Sequence, residues 1–318
     1  MDIATLTARL RQSFSEEQII PSAPMSRYTT LRLGGPADVL AVPHTQDQVR
    51  DALLAAGECG VPVTILGNGS NVLVRDGGIR GMVLLIADGF DAVSEPVPAG
   101  DGRYLLTAQG GAALTKLSNA AANASLKGLE FAAGIPGTVG GAAFMNAGAY
   151  GGEMKDVVTQ VTVCDRDGTI HTYSNEEMAF GYRRSLLTRQ ANPGVVTSMT
   201  VALEKGDEGE IRAAMRDFNA RRRQKQPITL PGCGSTFKRP EGYFAGTLID
   251  QCGLKGHRVG GASVSTLHAG FLVNDQQGTA ADYLALMADV QRIVYEKTGV
   301  TLEPEVRIIG EDAAPSSI

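Results

Sequence analysis

The stretch GLEFAAGIPGTVGGAAFMNAGAYGGE, residues 128–153, governs how the rest of this sequence is interpreted. It holds eight glycines in 26 residues, which predicts a loop, because each glycine costs a helix or strand about 0.5–1 kcal/mol relative to alanine. Apolar side chains such as Phe131 and Phe144 predict burial and argue against a flexible linker. A rigid, buried loop of this kind lets the backbone approach a flat or anionic ligand, or pack closely against another domain.

A second glycine motif, GNGSN at 67–71, directly follows a predicted strand at 61–66. Its glycines let backbone N–H groups turn toward an anion, and Ser70 and Asn71 add side-chain donors. The alternative is a plain tight turn. Neither glycine motif has the G-x-G-x-x-G spacing of a Rossmann dinucleotide site. Neither is followed by the G-K-[ST] of a P-loop, so the sequence excludes both of these nucleotide-binding motifs at the two positions.

The composition is that of an ordinary globular protein. The chain has 318 residues, 43% of them hydrophobic and 20% charged, with a net charge of −5. This mild acidity argues against non-specific nucleic-acid binding, which depends on basic residues that neutralise phosphates. The four cysteines form no C-x-x-C pair and the four histidines lack metal-ligand spacing, so no metal site is predicted. The longest apolar run, 82–87, is too short to span a membrane, and the N-terminus lacks a signal peptide. We therefore expect a cytoplasmic protein that makes no contact with a membrane.

Hydrophobic periodicity predicts an α+β chain in three parts. Residues 1–88 alternate strands and helices, and 89–205 consist of short strands around the glycine-rich loop. Residues 206–302 combine helices with short strands, and 303–318 could complete the first part.

Helix boundaries are marked by capping residues. Thr45 predicts the start of a helix over 45–58, and Thr279 with Asp282 forms a capping box before a last helix. A further helix is predicted over 207–223. Near its end lies the strongest basic run of the chain, which is either a solvated helix terminus or an anion site: Arg221, Arg222, Arg223 and Lys225.

Five motifs in order carry a family resemblance. The two glycine motifs resemble the FAD-binding region of the vanillyl-alcohol-oxidase-like (PCMH-type) flavoproteins. With FGYRRS (180–185), GCGSTFKRP (232–240) and LEPEVRIIG (302–310), the chain more closely resembles the UDP-N-acetylenolpyruvoylglucosamine reductase family, in its shorter, type II form. The resemblance runs from about Tyr28 to Gly310.

The resemblance implies the fold and the reaction. The expected architecture is a PCMH-type FAD-binding fold of two α/β subdomains, 1–88 and 89–205, plus a C-terminal α+β substrate-binding domain, 206–302. NADPH would reduce non-covalent FAD, and the flavin would pass hydride to the enolpyruvyl group of a UDP-sugar. The product is UDP-N-acetylmuramate, a peptidoglycan precursor. We expect a monomer or weak dimer.

The resemblance also implies which residues hold FAD. They all lie in the two glycine motifs: Gly67, Asn68, Gly69, Ser70, Asn71, Gly134, Ile135, Pro136, Gly137, Gly140, Gly141, Asn146, Gly148 and Ala149.

Three residues match the family's catalytic positions. Arg183 matches the arginine that stabilises the charge developing on the substrate carboxylate, although the sequence barely separates it from Arg184. Ser235 matches the serine that donates a proton to the adjacent carbon. Glu305, rather than Glu303, matches the glutamate that helps to stabilise the intermediate.

Substrate contacts are implied at Lys225, Arg239 and His268. Lys225 resembles a lysine near the substrate pyrophosphate, and His268 falls where the family has a polar contact. Arg239 departs from the common F-K-N-P motif, so a contact made by that asparagine is lost or replaced. The insert that carries a substrate-clamping tyrosine in the longer subtype is absent between Arg183 and Gly206, so other residues must capture the substrate.

Two other functions fit part of the sequence. A different PCMH-type FAD oxidoreductase, acting on a lactone or hydroxy acid, would share the glycine motifs alone. A non-catalytic nucleotide-sugar-binding relative would keep the fold without turnover.

Overall fold

The computed structural model describes residues 1–314 of the 318-residue chain. Within them, helices α1–α7 span Ile3–Leu10, Gln46–Glu58, Leu114–Asn123, Val139–Met145, Glu208–Lys225, Ala245–Gln251 and Ala280–Thr298. Strands β1–β17 span Ile19–Pro24, Pro36–Ala41, Val63–Leu66, Val72–Val74, Ile79–Leu85, Val97–Pro98, Arg103–Gln109, Leu126–Lys127, Gly148–Ala149, Gly152–Glu153, Val158–Cys164, Ile170–Ser174, Val195–Lys205, Arg258–Val259, Ala262–Val264, Leu272–Asn274 and Arg307–Ile309. The mixture confirms the α+β class.

The chain divides into two compact units, each built from separate stretches of sequence. The first unit comprises Met1–Pro21, Val39–Asn68 and Gly81–Arg221. The second comprises Ser22–Asp38, Gly69–Arg80 and the chain from Arg222 onward. The three-part division at 88, 205 and 302 stays a prediction. Of the segment 303–318 that was expected to complete the first part, residues 315–318 lie outside the described chain.

A largely antiparallel sheet organises one core of the first unit. Its order is β12-β11-β13-β7-β6, and β8 also pairs with β13. The eleven-residue strand β13 pairs antiparallel with both β11 and β7. Leu106, Val161 and Met199, one from each of β7, β11 and β13, are almost fully buried in this core.

A second core of the first unit lies where α1 and α2 pack together. Strands β3 and β5 pair in parallel, and Leu6, Leu53 and Met82 are buried there. The helix predicted from Thr45 is confirmed, because the Thr45 side chain accepts a hydrogen bond from the Gln48 N–H at 3.1 Å. This bond satisfies one of the free amides at the start of the helix.

The second unit packs α6 and α7 with the three-stranded sheet β14-β15-β16. The predicted capping box is confirmed, with Thr279 and Asp282 exchanging bonds at 3.0 and 2.9 Å. Asp76 reinforces the start of α7 by accepting from the N–H groups of Ala280 and Ala281, each at 2.8 Å. A carboxylate at this position also complements the helix dipole.

The glycine-rich stretch 128–153 is more regular than the sequence predicts. It contains helix α4, a 3₁₀ turn at Glu130–Ala132 and the hairpin β9–β10. The expectation of a loop without helix was therefore wrong for Val139–Met145. Tertiary packing offsets the low helix propensity: Thr138 caps the helix through Gly141 N–H, and the Gly140 N–H donates to the Gly110 carbonyl at 2.7 Å.

Candidate functional site

Two predicted cofactor segments meet in the first unit. The Asn68 side-chain amide donates to the Pro136 carbonyl at 3.1 Å. A Cβ on Gly67 would lie 2.5 Å from the Thr138 hydroxyl oxygen, so only glycine allows the two loops to approach this closely. The structure thus brings Gly67 and Asn68 against the loop of Gly134, Ile135, Pro136 and Gly137, although 66 residues or more separate them in sequence.

Helix α4 presents bare backbone beside this contact. Gly140 faces the sheet, where a Cβ would lie 3.1 Å from the Gly110 carbonyl oxygen. Gly141 is exposed, and a Cβ there would meet only the Thr138 hydroxyl, at 3.5 Å. Exposed backbone without side chains is the surface that a flat ring system or a pyrophosphate can approach. The residues present therefore fit a flavin dinucleotide.

Asn146 ends α4 and organises the hairpin that follows. It adopts a left-handed conformation with φ of 45°, and the residue is 1% exposed. Its amide nitrogen donates to the Glu153 carboxylate at 3.0 Å and to the Gly181 carbonyl at 3.1 Å, while its oxygen accepts from Lys155 N–H. Lys155, more than Asn146, lowers the pKa of Glu153. The Asn146 side chain thus holds the segment of Gly148 and Ala149 in place.

The remainder of the GNGSN motif belongs to the second unit. Gly69 has φ of +58°, and any side chain there would collide with the Tyr28 carbonyl. Ser70 is partly exposed. The Asn71 side chain donates to the Glu305 carbonyl at 3.1 Å, and the Asn71 carbonyl accepts from Arg307 N–H at 3.0 Å. Asn71 therefore links this motif to the predicted catalytic glutamate.

The structure distinguishes Arg183 from Arg184, which the sequence barely does. Arg184 is exposed and its side chain folds back over Gly181. Arg183 is half-buried, lies over the Tyr182 ring at 5.3 Å and reaches the Gly148 carbonyl at 3.5 Å. Its φ of +53° is unusual for a residue with a side chain and directs it toward the predicted cofactor segment.

Ser235 lies at the crest of a tight arch in the second unit. Gly234 has φ of +78°, a conformation that favours glycine. Its neighbours Cys233 and Thr236 are buried, while Ser235 is partly exposed. The Ser235 hydroxyl donates to the Phe237 carbonyl at 3.2 Å. The arch therefore carries one partly exposed serine between two buried residues.

Glu305 lies next to this arch. Its N–H donates to the Thr236 carbonyl at 2.8 Å. Glu303 instead extends into solvent, where its carboxylate pairs with Lys238 at 3.1 Å. The backbone of Glu305 therefore lies beside the arch that carries Ser235, whereas the Glu303 side chain is paired with Lys238; the catalytic role of Glu305 stays a prediction.

The predicted substrate-binding residues lie at separate points of the second unit. Lys225 is the exposed last residue of α5, and Arg239 stacks over the exposed Phe244 ring at 4.0 Å. His268 is half-buried, and its Nδ1 accepts from Gly270 N–H at 3.1 Å. Burial lowers the pKa of the imidazole, which favours its neutral form.

Sequence patterns did not reveal a pocket of about 210 Å³ in the second unit, lined by Thr229, Leu230, Ser265 and others. Arg258 also lines it, but both guanidinium bonds go to Asp275, at 2.7 and 2.8 Å. Its cation is therefore neutralised, and the pocket offers hydroxyl groups and apolar walls. Its lining residues come from several short segments between Pro227 and Asp275, so its shape depends on how those segments fold together.

Two classes of feature are absent from residues 1–314. None of the helices there is both long and apolar enough to cross a membrane. Nor does that part of the chain bring together three or more His, Cys, Asp or Glu residues able to hold a metal ion.

Comparisons with known proteins agree over nearly the whole chain. Residues 37–174 match the model of an FAD binding domain, and residues 226–309 match that of the C-terminal domain of UDP-N-acetylenolpyruvoylglucosamine reductase. The reductase of that name from Limosilactobacillus fermentum is 51% identical over 301 residues, covering 95% of this chain and 97% of the relative. The one from Clostridioides difficile is 47% identical over 298 residues, covering 94% and 95%.

A solved structure is also similar. The crystal structure of UDP-N-acetylenolpyruvylglucosamine reductase from Thermus caldophilus aligns with a TM-score of 0.75 and 36% identity, covering 91% of this chain and 97% of that one.

Proposed function

Because this chain belongs to the UDP-N-acetylenolpyruvoylglucosamine reductase family, we propose which of its residues carry out the reaction of that family. The protein is an FAD-dependent oxidoreductase of peptidoglycan synthesis. It reduces enolpyruvyl-UDP-N-acetylglucosamine to UDP-N-acetylmuramate, with NADPH as the source of hydride. When bound, FAD would supply the hydride chemistry that connects NADPH with the enolpyruvyl group of the substrate.

The chain's own residues manage the charge and the proton. Hydride addition to the methylene carbon places negative charge on the substrate carboxylate, as an enolate-like species. We propose that the guanidinium of Arg183 stabilises this charge, because a planar, always-charged group can hold both carboxylate oxygens. The proposal is supported by the half-buried position of Arg183 beside the segment that Asn146 holds.

Ser235 is our proposed proton donor to the carbon next to the carboxylate. The one observation that carries this assignment is the hydrogen bond between Glu305 N–H and the Thr236 carbonyl, at 2.8 Å. The bond supports the assignment because the backbone of Glu305, another predicted catalytic residue, lies beside the Ser235 arch. Serine is a weak acid, so it can donate only to a strongly basic carbon centre, and Glu305 would help to stabilise that centre.

Backbone and polar groups complete the proposed binding site. FAD would be held non-covalently by the fourteen residues of the two glycine motifs named above. Lys225, Arg239 and His268 would contact the UDP-sugar. We further propose that the protein acts in the cytoplasm, where its nucleotide substrates are found, as a monomer or weak dimer.

The test follows the flavin absorbance through the two half-reactions. Under anaerobic conditions NADPH should bleach the bound flavin, and the enolpyruvyl-UDP-sugar should restore its colour. Ser235→Ala should leave bleaching intact and slow recolouring by about 100-fold or more. Ser13→Ala, at an exposed serine, should match the wild type in both steps. Bleaching by a hydroxy acid instead of NADPH would favour the oxidase alternative, and a failure of the sugar to restore colour would refute the proposed reaction.

A further inference from the structure

Tyr283, on the first turn of α7, buries its phenol completely, with 0% of the residue exposed. Its hydroxyl donates to the Leu272 carbonyl at 3.3 Å. It also lies 3.1 Å from the Thr236 hydroxyl and 3.2 Å from the Cys233 sulfur. Both of these partners belong to the arch that carries Ser235. A residue 47 positions away in sequence from Thr236 therefore anchors the arch from within the core.

The direction of each hydrogen bond follows from counting protons. A phenol has one proton, and Tyr283 gives it to the Leu272 carbonyl, so its oxygen accepts from Thr236 and from Cys233. The Thr236 oxygen also accepts from Leu272 N–H at 3.2 Å, which uses a lone pair and leaves the hydroxyl proton for Tyr283. Burial raises the pKa of the Cys233 thiol to about 12 and raises the pKa of Tyr283 well above its usual value. Both groups therefore keep their protons at neutral pH, and the network is complete.

The two residues held by Tyr283 flank Gly234 and Ser235. Thr236 is further fixed by its backbone, because its N–H donates to the Gly270 carbonyl at 3.0 Å and its carbonyl accepts from Glu305 N–H. Tyr283 thus adds side-chain contacts at Cys233 and Thr236 to the backbone bonds that hold the arch on either side of Gly234 and Ser235.

We propose that Tyr283 is a positioning residue for Ser235: its hydroxyl holds Cys233 and Thr236 so that the serine between them meets the substrate carbon. The inference rests on the proposed function of Ser235 and goes beyond it, because Tyr283 itself touches no substrate. A proton donor must lie within hydrogen-bond reach of the carbon that it protonates, and a shift of about 1 Å can cost a reaction about 100-fold.

Tyr283→Phe is the sharpest variant, because it removes one oxygen and keeps the buried ring. The Thr236 hydroxyl and the Cys233 thiol then lose their acceptor, and the Leu272 carbonyl loses its donor. Unpaired polar groups in a core are costly, so the arch should shift to find new partners. Tyr295→Phe on the same helix, where the ring is 58% exposed, makes the identical change without touching the arch.

In the holoenzyme, Tyr283→Phe should affect the two half-reactions differently. With Tyr283→Phe, we expect NADPH to reduce the flavin at the wild-type rate. Recolouring by the enolpyruvyl-UDP-sugar should slow by about 10- to 100-fold at saturating sugar, with a larger solvent isotope effect in D₂O, because proton transfer becomes slower. Tyr295→Phe should leave both rates unchanged. Equal slowing of both half-reactions, or none of either, would overturn the inference.

A double-mutant cycle tests whether Tyr283 acts through Ser235. In a Ser235→Ala background, Tyr283→Phe should slow recolouring no further, because the group that it positions is gone. Additive losses would show that Tyr283 acts by another route and would refute the proposal.

A second pair of variants covers the case in which Tyr283→Phe fails to fold. Thr236→Ser keeps the hydroxyl that bonds to Tyr283 and should retain most of the recolouring rate. Thr236→Val removes that hydroxyl and should slow recolouring while leaving flavin reduction by NADPH unchanged. Similar recolouring rates for the two variants would contradict the inference. Failure of the wild-type enzyme to recolour with the sugar would instead refute the proposed function, so the two failures are distinguishable.

Discussion

Arg183 and Arg184 are adjacent arginines, but the backbone conformation at Arg183 gives the two side chains different contacts. The left-handed φ of +53° at Arg183 costs a residue with a side chain about 1–2 kcal/mol. It places the guanidinium over Tyr182 and at the Gly148 carbonyl, while Arg184 covers Gly181 and faces solvent. Backbone strain at a predicted catalytic residue is consistent with a functional constraint on its direction.

Conservative substitutions should show which of the two arginines stabilises the charge on the substrate. Arg183→Lys keeps the charge and loses the planar fork, so recolouring of reduced flavin by the enolpyruvyl-UDP-sugar should slow at least about 10-fold. Arg184→Lys should change that rate less than about twofold. Stopped-flow absorbance at saturating sugar measures both. A larger effect at Arg184 than at Arg183 would reverse the assignment.

Helix α4 shows how two adjacent glycines of one element serve different purposes. Gly140 faces the sheet, and the Gly110 backbone beside it is itself held by a bond from Gly110 N–H to the Thr197 carbonyl at 2.8 Å. A Cβ on Gly141 would meet only the Thr138 hydroxyl, at the ordinary contact distance of 3.5 Å. Neither has a left-handed φ, so alanine is conformationally acceptable at both, and only their surroundings differ.

The two alanine variants should therefore have opposite effects on stability. Gly140→Ala pushes a methyl group against a fixed carbonyl and should destabilise the protein by about 1–3 kcal/mol. Gly141→Ala should stabilise the flavin-free protein by up to about 1 kcal/mol through helix propensity. Denaturant unfolding of both apoproteins measures these free energies.

Flavin affinity supplies the second half of the same experiment. If the bare backbone of Gly141 contacts the cofactor, Gly141→Ala should weaken FAD binding several-fold despite the more stable fold. Unchanged FAD affinity in this variant would remove Gly141 from the proposed binding residues.

The GNGSN motif is split between units at the scale of the whole molecule, with Asn68 in the first and Gly69 in the second. Asn68 contacts Pro136 within the first unit, and Asn71 contacts Glu305 within the second. This continuous five-residue motif thus includes both proposed cofactor-binding residues and a direct contact of Glu305, the predicted catalytic glutamate. Each compact unit draws on three separate stretches of the chain, and the three-part division predicted from sequence stays a prediction.

The stability of the molecule should depend on the protonation of His268. Burial lowers the pKa of this imidazole below its usual 6.5, Lys255 lowers it further, and Asp250 opposes the shift. As the pH falls below about 6.5, the unfolded chain takes up the proton first, so the folded state loses stability until the folded pKa is passed. The loss is about 1.4 kcal/mol for each unit that separates the two pKa values.

His268→Asn isolates this contribution, because its side-chain oxygen can replace Nδ1 as the acceptor for Gly270 N–H. The free energy of unfolding should fall less between pH 7 and 5 in this variant than in the wild type. Parallel pH profiles for the two proteins would mean that His268 titrates alike in the folded and unfolded states.

Short stretches of the sequence were sufficient to identify much of this protein. The caps at Thr45 and Thr279, the α+β class and the family motifs can all be recognised over short stretches, because capping and turn chemistry act between residues a few positions apart. The candidate residues Arg183, Ser235 and Glu305 were also named from motifs alone. Their roles stay predictions until the half-reactions are measured.

Features that depend on contacts between residues far apart in sequence were decided only by the tertiary structure. In the stretch 128–153, glycine composition predicted a loop, yet packing against β13 and the Gly110 backbone made part of it a helix. Tyr283 is one of several buried residues of α7, and only the fold brings Cys233 and Thr236 to its hydroxyl. The physical reason is the same in both cases: whether a backbone or hydroxyl group is satisfied depends on atoms far away in sequence, which composition and spacing do not specify.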